Sequence, residues 1–398
     1  MHRREFLKQT ILTGAAAIAT ASTGFSIHAR SPETVRIGYL PITDATPLLI
    51  AHANKYFEDE GLNAAHPALI RSWSALTESF LAGKFNVVHL LLPIPIWMRY
   101  KNKLNVKIVA WDHLNGSALT VGNGMNMNGF SDLGGKRIAV PHWYSMHNVL
   151  LQMGIRKAGL KPVIKPASDK INRDEVNLTL LPPPEMPPAL AARQIHGYMV
   201  AEPFNAVGEL RLNAKIMRFT GDMWKNHPCC VIVMKEDLIK SNPRFTQKVV
   251  NAVVRAQQWI LHHPDQTAGV LCQEGKNYLP MSKAILQRVF TQYDPKIYGN
   301  ANKPQAIRHP QWGIQRIGFQ PYPFPSATRF IFNQMKQTLV QGENDFLQRV
   351  SPDTVVKDLV VYEFAKKAIL QLGGAGTFTD IKIDPKQALW DREEVIDI

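Results

Sequence analysis

The side chains best suited to metal or redox chemistry lie in one short run of the sequence, His227-Pro228-Cys229-Cys230. Imidazole and thiolate groups bind metals, and thiols can be oxidised. Structural zinc sites usually space their ligands by two or more residues, however, and adjacent cysteines do not easily reach one tetrahedral ion. We therefore predict no metal and no other cofactor, and we interpret Cys230 as a soft, polarisable lining of a binding pocket.

Cysteines and catalytic motifs are otherwise sparse. The chain has three cysteines, too few for a disulfide framework, and the odd count leaves at least one thiol free or intermolecular. We expect Cys272 to pair with Cys229 or with Cys230. The sequence has no serine nucleophile elbow, no glycine-rich phosphate loop and no His/Glu motif with metal-ligand spacing, so it does not predict an enzyme.

The first residues predict export. The pair Arg3-Arg4 stands before Phe6-Leu7-Lys8, and a mildly apolar stretch rich in Ala, Gly and Thr follows from residue 10 to residue 25. A basic head, an apolar middle and a small-residue exit are typical of a secretory signal peptide, and the paired arginines indicate the twin-arginine route to the periplasm. A transmembrane anchor is the alternative. A membrane span requires ~20 apolar residues, however, and this stretch is shorter and contains polar residues.

Charge and length narrow the classes of partner and the number of lobes. The formal net charge is +14 at pH 7, and removing residues 1–29 takes out only three bases and one acid. Such an excess attracts anions over long range, and it would equally suit solubility or an acidic membrane surface. No basic stretch with interleaved aromatics indicates nucleic acid. The 398 residues exceed what one core usually supports, so two lobes are predicted.

The start of the mature chain has the pattern of a strand, a loop and a helix. Val35, Ile37 and Tyr39 recur at the period of a strand. After the loop, Asp44 or Thr46 is predicted to cap a helix. Strand and helix patterns alternate along the chain after this unit, which predicts an α/β fold with mostly parallel sheets.

Further helix boundaries follow from capping and terminating residues. A second unit runs from Ser72 through a helix to Gly83, and Ser145 is predicted to cap a helix that Gly159 terminates. Asn242 precedes a long helix with one apolar side. These helices flank the predicted strands.

Several segments, in order along the chain, resemble the nitrate- and bicarbonate-binding proteins of bacterial ABC importers, within the wider nitrate, sulfonate and taurine binding superfamily. The resemblance covers roughly residues 35–275, and its specificity lies in the order of the segments rather than in any one of them. The segments are IGYLPITDATPL (37–48), KYFEDEGL (55–62), SW (72–73), PIP (93–95), NG (115–116), AEPFN (201–205), WKNHP (224–228) and AQQW (256–259).

The resemblance implies a two-lobed periplasmic-binding-protein fold of type II, in which each lobe is a mostly parallel sheet flanked by helices and the lobes close like a hinge over a ligand. It places the crossings between lobes near residues 115–121 and 225–230. The implied domains are the signal peptide at 1–29, a first lobe from 30–116 and 226–296, a second lobe at 117–225, and a C-terminal segment at 297–398 that wraps the surface and packs helices on the first lobe.

The implied fold also marks candidate ligand contacts. Ligands of such sheets lie beyond the carboxyl ends of strands, often at helix N-termini, which favour anions. Trp73 offers an indole N–H that only donates, and the resemblance implies a ligand tryptophan there. His147 lies in the first turn of the Ser145 helix, where the resemblance implies a ligand histidine, with His142 as the alternative. The expected ligand-binding residues are Trp73, His147, Ser72, Ser117, Asp44, Thr43, Ser145, Glu202 and Cys230.

The carboxylates of Glu202 and Asp44 each have two interpretations. Glu202 follows a strand end and either lies near the cleft, through a bound cation as in similar bicarbonate binders, or caps a helix at the lobe junction. Asp44 is interpreted first as a helix cap and second as part of the ligand pocket.

Two positions depart from the pattern of similar nitrate binders. Ser117 stands where they carry a glutamine, and Cys230 stands where they carry a lysine. Loss of the lysine removes a positive charge worth roughly 4 kcal/mol at an effective dielectric of 20. His147 or Arg71 would then supply the cation. Nitrate is therefore one expected solute among several, beside nitrite, bicarbonate, sulfonates and small organic acids.

The resemblance implies a solute-binding component, not an enzyme, that passes a small anion to an ABC permease in the inner membrane driven by a cytoplasmic ATPase. One alternative on the same fold is an enzyme of the thiamin-pyrimidine-synthase type, whose cysteine-rich iron motif is reduced here to Cys229-Cys230. The other is an anion sensor that signals to a partner, which is cytoplasmic in the similar proteins. The predicted export argues against both alternatives.

Overall fold

A computed structural model describes residues 33–299, 306–378, 384 and 386–398 of the chain. The predicted signal peptide, residues 1–29, lies outside the described residues. Within the described residues, no helix combines the length and the apolar character that a bilayer crossing requires.

The described residues form an α/β fold, which confirms the predicted class. The strands are β1 (Thr34–Val35), β2 (Ile37–Tyr39), β3 (Asn63–Ala64), β4 (Ala68–Leu69), β5 (Val87–Leu91), β6 (Val106–Trp111), β7 (Leu114–Asn115), β8 (Ser117–Val121), β9 (Lys136–Val140), β10 (Lys161–Val163), β11 (Glu175–Leu180), β12 (Gly197–Ala201), β13 (Lys215–Phe219), β14 (Cys230–Lys235) and β15 (Ile317–Gly318). The helices are α1 (Thr46–Ala53), α2 (Tyr56–Asp59), α3 (Trp73–Leu81), α4 (Pro93–Tyr100), α5 (Met146–Lys157), α6 (Met186–Ala191), α7 (Phe204–Leu212), α8 (Glu236–Ser241), α9 (Pro243–His262), α10 (Pro264–Leu271), α11 (Lys283–Phe290), α12 (Pro295–Tyr298), α13 (Pro325–Met335), α14 (Pro352–Leu359) and α15 (Tyr362–Gln371). Short 3₁₀ helices lie at Thr43–Ala45, Phe130–Leu133, Pro183–Glu185, Thr220–Asp222, Pro310–Trp312, Asp345–Arg349 and Ala375–Thr377.

The first sheet has the strand order β4-β2-β5-β14-β6 in the described part of the chain. Strand β2 is parallel to β4 and to β5, whereas β14 runs antiparallel between β5 and β6. The first residue of β14, Cys230, therefore pairs with Leu91 at the carboxyl end of β5, and Val231 pairs with Trp111 at the carboxyl end of β6.

The second sheet repeats this arrangement, with the order β10-β11-β9-β12-β8-β13 over the residues described. Its strands run parallel except β8, which is antiparallel to β12 and to β13. Ser117, the first residue of β8, pairs with Ala201, the last residue of β12. In both sheets the reversed strand is the one that the chain enters after crossing from the other sheet. The start of that strand consequently lies at the carboxyl edge of its parallel neighbours, where ligands of α/β sheets bind.

Serine side chains cap the helices α3 and α5, which begin near this edge. Ser72 accepts a hydrogen bond from the Ala75 N–H at 3.3 Å and starts α3. Ser145 accepts one from the Asn148 N–H at 3.0 Å and starts α5, as predicted. The predicted cap of α1 is wrong, because neither Asp44 nor Thr46 caps it. Asp44 lies in the 3₁₀ helix before α1, and its carboxylate contacts distant residues instead.

The predicted disulfide is also wrong. All three cysteines of the chain fall within the described residues, and all three are free and buried. The Cys272 thiol donates to the Gly269 carbonyl at 3.2 Å, in the region of α10, whereas Cys229 and Cys230 precede and begin β14.

The C-terminal third of the chain contacts both sheets and their flanking helices. Helix α13 packs against α4 and α5, and α15 packs against α9 and β6. Strand β15 pairs with β7, where the chain passes from the first sheet to the second. At the return crossing, where the chain passes back from β13 to β14, Trp224 forms an antiparallel bridge with Ile396. There the Lys225 N–H also donates to the Val395 carbonyl at 2.9 Å. The predicted domain boundaries stay a prediction.

Candidate functional site

Polar residues from the carboxyl edges of the two sheets meet between them. The loop after β2 contributes Thr43, whose N–H donates to the carbonyl of Glu202 after β12 at 2.8 Å. Ser117 and Cys229 lie at the two places where the chain crosses between the sheets, and their Oγ and Sγ atoms lie 3.9 Å apart. These residues are buried. The site is thus assembled by the two crossings together with the loops that follow the parallel strands.

Asp44 is the centre of a cluster of potential metal ligands. Its Oδ2 lies 2.8 Å from His113 Nε2, and the Cys230 and Cys229 thiols donate to the same oxygen at 3.1 and 3.7 Å. One ligand atom from each of these four residues lies within 4.8 Å of all the others. His113 follows β6, so three different elements supply the cluster.

Burial and mutual contact shift the pKa values of this cluster. Burial raises the pKa of Asp44, and the charge of His113 opposes that shift. Burial alone would lower the pKa of His113, but the Asp44 carboxylate outweighs it and raises the pKa well above its usual value. For Cys229, burial is outweighed by a hydrogen bond from Cys230 and by the charge of His147, so its pKa falls well below that of a free thiol. Burial and the Cys229 thiolate raise the pKa of Cys230 instead.

A second polar group comes from the second sheet. Ser117 Oγ and His147 Nε2 lie 2.9 Å apart. His147 is in the first turn of α5, and the Ser145 cap fixes the start of that turn. Among the described residues, His147 Nδ1 has no hydrogen-bond partner although it is buried.

A third group lies in the first sheet around His89 of β5. Its Nε2 accepts the Leu40 N–H at 3.0 Å, so the ring proton of neutral His89 is on Nδ1. Burial, and then the charge of His113, lower the pKa of His89 to about 3, which keeps the ring neutral. The Trp73 ring packs on it with the centroids 5.4 Å apart. Asp112 Oδ2 lies 3.7 Å from His89 Nδ1, and burial raises the pKa of Asp112 well above its usual value.

Each of these three groups contains buried polar atoms without a hydrogen-bond partner among the described residues. Buried polar atoms are nearly always bonded, so each exception in a native protein calls for a cause such as a bound ligand or ion. Within the described part of the chain, the atoms of the site concerned are Asp44 Oδ1, Trp73 Nε1, His89 Nδ1, both carboxylate oxygens of Asp112, His113 Nδ1 and His147 Nδ1.

Glu202 has a different environment. Its Oε1 accepts the Nε–H of Arg316 at 2.7 Å and lies 2.6 Å from Nη2, and its Oε2 accepts the Ala206 N–H of α7 at 3.1 Å. Arg316 also pairs with Glu209 at 2.9 Å. Glu202 thus binds an N–H in the first turn of α7, although the N-cap residue itself is Pro203, and both carboxylate oxygens contact the protein.

A sequence model of the NMT1-like family matches residues 28–273, which is more than half of the chain. The chain belongs to the NMT1-like family. Nitrate/nitrite binding protein NrtA of Nostoc sp. (strain PCC 7120 / SAG 25.82 / UTEX 2576) is 25% identical over 329 residues, covering 76% of this chain and 71% of NrtA. Nitrate import ATP-binding protein NrtC of Synechocystis sp. (strain PCC 6803) is 25% identical over 239 residues, but the match spans only 34% of NrtC.

Solved structures show which fold this NMT1-like chain has. The periplasmic nitrate-binding protein NrtA from Synechocystis PCC 6803 superposes with a TM-score of 0.69 at 16% identity, covering 88% of this chain and 91% of NrtA. The ligand-binding component of an ABC-type import system from Staphylococcus aureus, solved with zinc bound, has a TM-score of 0.62 at 21% identity, covering 84% and 99%. These matches confirm the predicted periplasmic-binding-protein fold. Desulfurization enzyme DSZB also shares it (TM-score 0.54, 14% identity, covering 85% and 99%), so the fold alone does not separate binding from catalysis.

The structure of this NMT1-like chain brings most of the predicted site residues together. Trp73, Asp44, Ser117, His147 and Cys230 lie in the three polar groups described above. The remaining predicted residues support their surroundings: Thr43 binds the Glu202 carbonyl, and Ser72 and Ser145 cap helices. A role in ligand binding stays a prediction for each of the nine.

Two alternatives from the sequence lie apart from these groups. Arg71, a suggested source of positive charge, is exposed. His142 accepts the Tyr144 N–H at 3.0 Å and packs against Trp97. Of the two histidines considered as ligand contacts, only His147 contacts Ser117.

The sequence interpretation missed three residues of the site in this NMT1-like chain. Asp112 and His113 directly follow the apolar strand β6, and His89 interrupts the apolar strand β5. A polar pair at the carboxyl end of a predicted strand is a signal for a binding edge. That signal marks Asp112 and His113, whereas His89 lies inside the apolar strand β5 and has no such signal beside it.

Proposed function

We propose that this NMT1-like chain is the periplasmic solute-binding component of an ABC importer and that it holds a small anion between its two sheets. It would pass the anion to a permease in the inner membrane, whose transport is driven by a cytoplasmic ATPase. The names of the related nitrate-binding and ATP-binding proteins support this class of function. The twin-arginine leader at 1–29 would deliver the protein already folded.

The observation that carries the proposal is a set of buried N–H donors that face the site without a protein partner. Trp73 Nε1 can only donate, and His89 Nδ1 carries the ring proton because Nε2 accepts the Leu40 N–H. The raised pKa of Asp112 favours its protonated form, which donates a hydrogen bond rather than repelling an anion. The raised pKa of His113 favours a positive charge beside these donors.

The proposal includes the division of the mature chain into lobes at 30–116 with 226–296, and at 117–225, with 297–398 packed on the first lobe. Because Trp73 and Ser117 belong to different lobes in this division, an anion that contacts both would favour the closed arrangement. Nitrate, nitrite, bicarbonate and sulfonates are the solutes to compare.

The test is a thermal-shift screen of the purified mature protein with sodium salts of these four anions. A bound anion raises the melting temperature in proportion to RT ln(1 + [L]/Kd). We expect Trp73→Phe to keep the ring stacked on His89, to lose the N–H, and to weaken binding roughly ten- to hundredfold, as expected for a hydrogen bond to a charged group. Trp390→Phe is the matched control, because Trp390 is also buried with an unpartnered Nε1 in the described structure but packs on Tyr322.

The proposal would be overturned if no anion shifts the melting temperature at millimolar concentration. Equal binding by wild-type protein and the Trp73→Phe variant would remove Trp73 from the site. Isothermal titration calorimetry on both variants and the wild type separates a change in affinity from a change in stability.

A further inference from the structure

We infer that Asp44, His113, Cys229 and Cys230 form a binding site for one divalent metal ion of the zinc class. Two thiols, an imidazole and a carboxylate are the donor set that tetrahedral zinc prefers. All four residues are buried. The inference does not require a bound anion: of its four residues only His113 also figures in the proposed anion site, and there the bound ion would supply the positive charge in its place.

The distances fit a single small ion. Bonds of about 2.3 Å to sulfur and 2.0–2.2 Å to nitrogen or oxygen place the ligand atoms of a tetrahedral site roughly 3.3–3.8 Å apart. Asp44 Oδ2 lies 3.1 and 3.7 Å from the two sulfurs and 2.8 Å from His113 Nε2, and every pair of ligand atoms lies within 4.8 Å. Shifts of a few tenths of an ångström to about one ångström would therefore bring the four atoms around one ion.

The positions of the two sulfurs answer the objection that adjacent cysteines cannot share an ion. Cys229 directly precedes β14, and Cys230 is its first residue. Both thiols reach the same oxygen of Asp44. A regular strand would have directed the two side chains to opposite faces of the sheet.

Hydrogen bonds leave the lone pairs of the cluster in competition. His113 Nε2 lies 2.8 Å from Asp44 Oδ2 and 3.3 Å from the Cys230 N–H. Beside an ionised Asp44 carboxylate, which can only accept, Nε2 would have to donate to the oxygen and accept from the N–H, and one ring nitrogen does one or the other. Asp44 Oδ1 and His113 Nδ1 have no hydrogen-bond partner within the described residues. A metal ion takes electron pairs from nitrogen, oxygen and sulfur at once, so it would replace the contact between Nε2 and Oδ2.

The balance of charge and protons also favours a bound cation in this cluster. Coordinating thiols must be deprotonated and a coordinating imidazole must be neutral, so binding releases to solvent any proton still held by the two sulfurs and by His113 Nε2, while the metal–ligand bonds form and no group is oxidised or reduced. The buried carboxylate and two thiolates would be costly without a compensating cation. Ser117 Oγ lies 3.9 Å from Cys229 Sγ, so the ion would sit next to the Ser117–His147 pair of the proposed solute site.

The test uses Co²⁺ and Zn²⁺ as probes on the full mature protein, kept reduced with a phosphine reductant and stripped with a chelator. We expect one Co²⁺ per chain, with the strong visible bands of tetrahedral cobalt and a near-ultraviolet thiolate-to-cobalt band, both lost on adding one equivalent of Zn²⁺. The double variant Cys229→Ser/Cys230→Ser should lose the thiolate band and bind at least a hundredfold more weakly. Cys272→Ser is the matched control and should behave as the wild type.

Three results would overturn the inference: no Co²⁺ or Zn²⁺ bound by the reduced wild type, a cobalt spectrum without the thiolate band, or equal binding by the double variant. Should the double variant misfold by circular dichroism, native mass spectrometry of the wild type before and after thiol alkylation gives the same decision. If an anion still raises the melting temperature but no metal binds, only the metal site is refuted. If metal binds but no anion raises the melting temperature, only the proposed function is refuted.

Discussion

Removing the Arg316 guanidinium should be among the most costly single changes in the chain. Its side chain is fully buried, and it holds Glu202 at 2.6 Å and Glu209 at 2.9 Å. Arg316→Met keeps the approximate volume, leaves Glu202 without its cation and leaves Glu209 with Arg288 at 3.2 Å. Breaking a buried ion pair by removing one partner costs about 3–5 kcal/mol, because the other charge stays buried and unpaired.

Urea unfolding of the mature protein, followed by circular dichroism and fluorescence, measures the effect as a change in the free energy of unfolding. Arg329→Met is the control: this side chain is 42% exposed and pairs with the exposed Asp353 and Asp391. An exposed pair contributes about 0–1 kcal/mol, so the control should lose no more than that. The double variant Arg316→Met/Glu202→Gln should recover part of the loss, since one unpaired charge is gone. An Arg316→Met variant that loses no more than the control would refute this account.

Two further predictions concern acid stability and strand packing. Hydrogen bonds from Lys240, and next from Arg99, lower the pKa of Glu236 to about 2. A carboxylate with a depressed pKa stabilises the fold above its unfolded pKa of about 4.5 and loses that contribution as the pH falls toward 2. Urea midpoints measured from pH 6 to pH 3 should therefore fall more steeply for the wild type than for Glu236→Gln. Gly38→Ala should destabilise the protein by about 1–3 kcal/mol in the same assay, because its Cβ would lie 2.3 Å from the buried Phe85 ring; an unchanged midpoint would contradict the close packing at β2.

Local signals predicted the elements around the site well. Ser145 caps α5 because a hydroxyl next to a helix start needs only the local N–H groups, which the sequence order already supplies. The mostly parallel sheets followed from alternating strand and helix patterns. The reversed direction of β8 and β14 depends on the crossings between sheets, and no local pattern predicts it.

The chemistry of the site was harder to predict, because it depends on contacts between distant residues. Asp44 has the residue type and position of a helix cap, but its partners His113, Cys229 and Cys230 lie at least 69 positions away along the chain. The spacing argument against metal binding at Cys229-Cys230 considers only neighbours in the sequence. It carries no information that both thiols lie 3.1–3.7 Å from the same oxygen of Asp44.

The part of the chain beyond the family match holds supports of the candidate site. The match ends at residue 273, yet Arg316 anchors Glu202, and residues 395–396 brace the return crossing at 224–225 just before the two cysteines. A substitution in this outer segment can thus shift the geometry of the candidate site while every residue lining it stays the same. Relatives with identical site residues but different C-terminal segments need not hold those residues in the same arrangement.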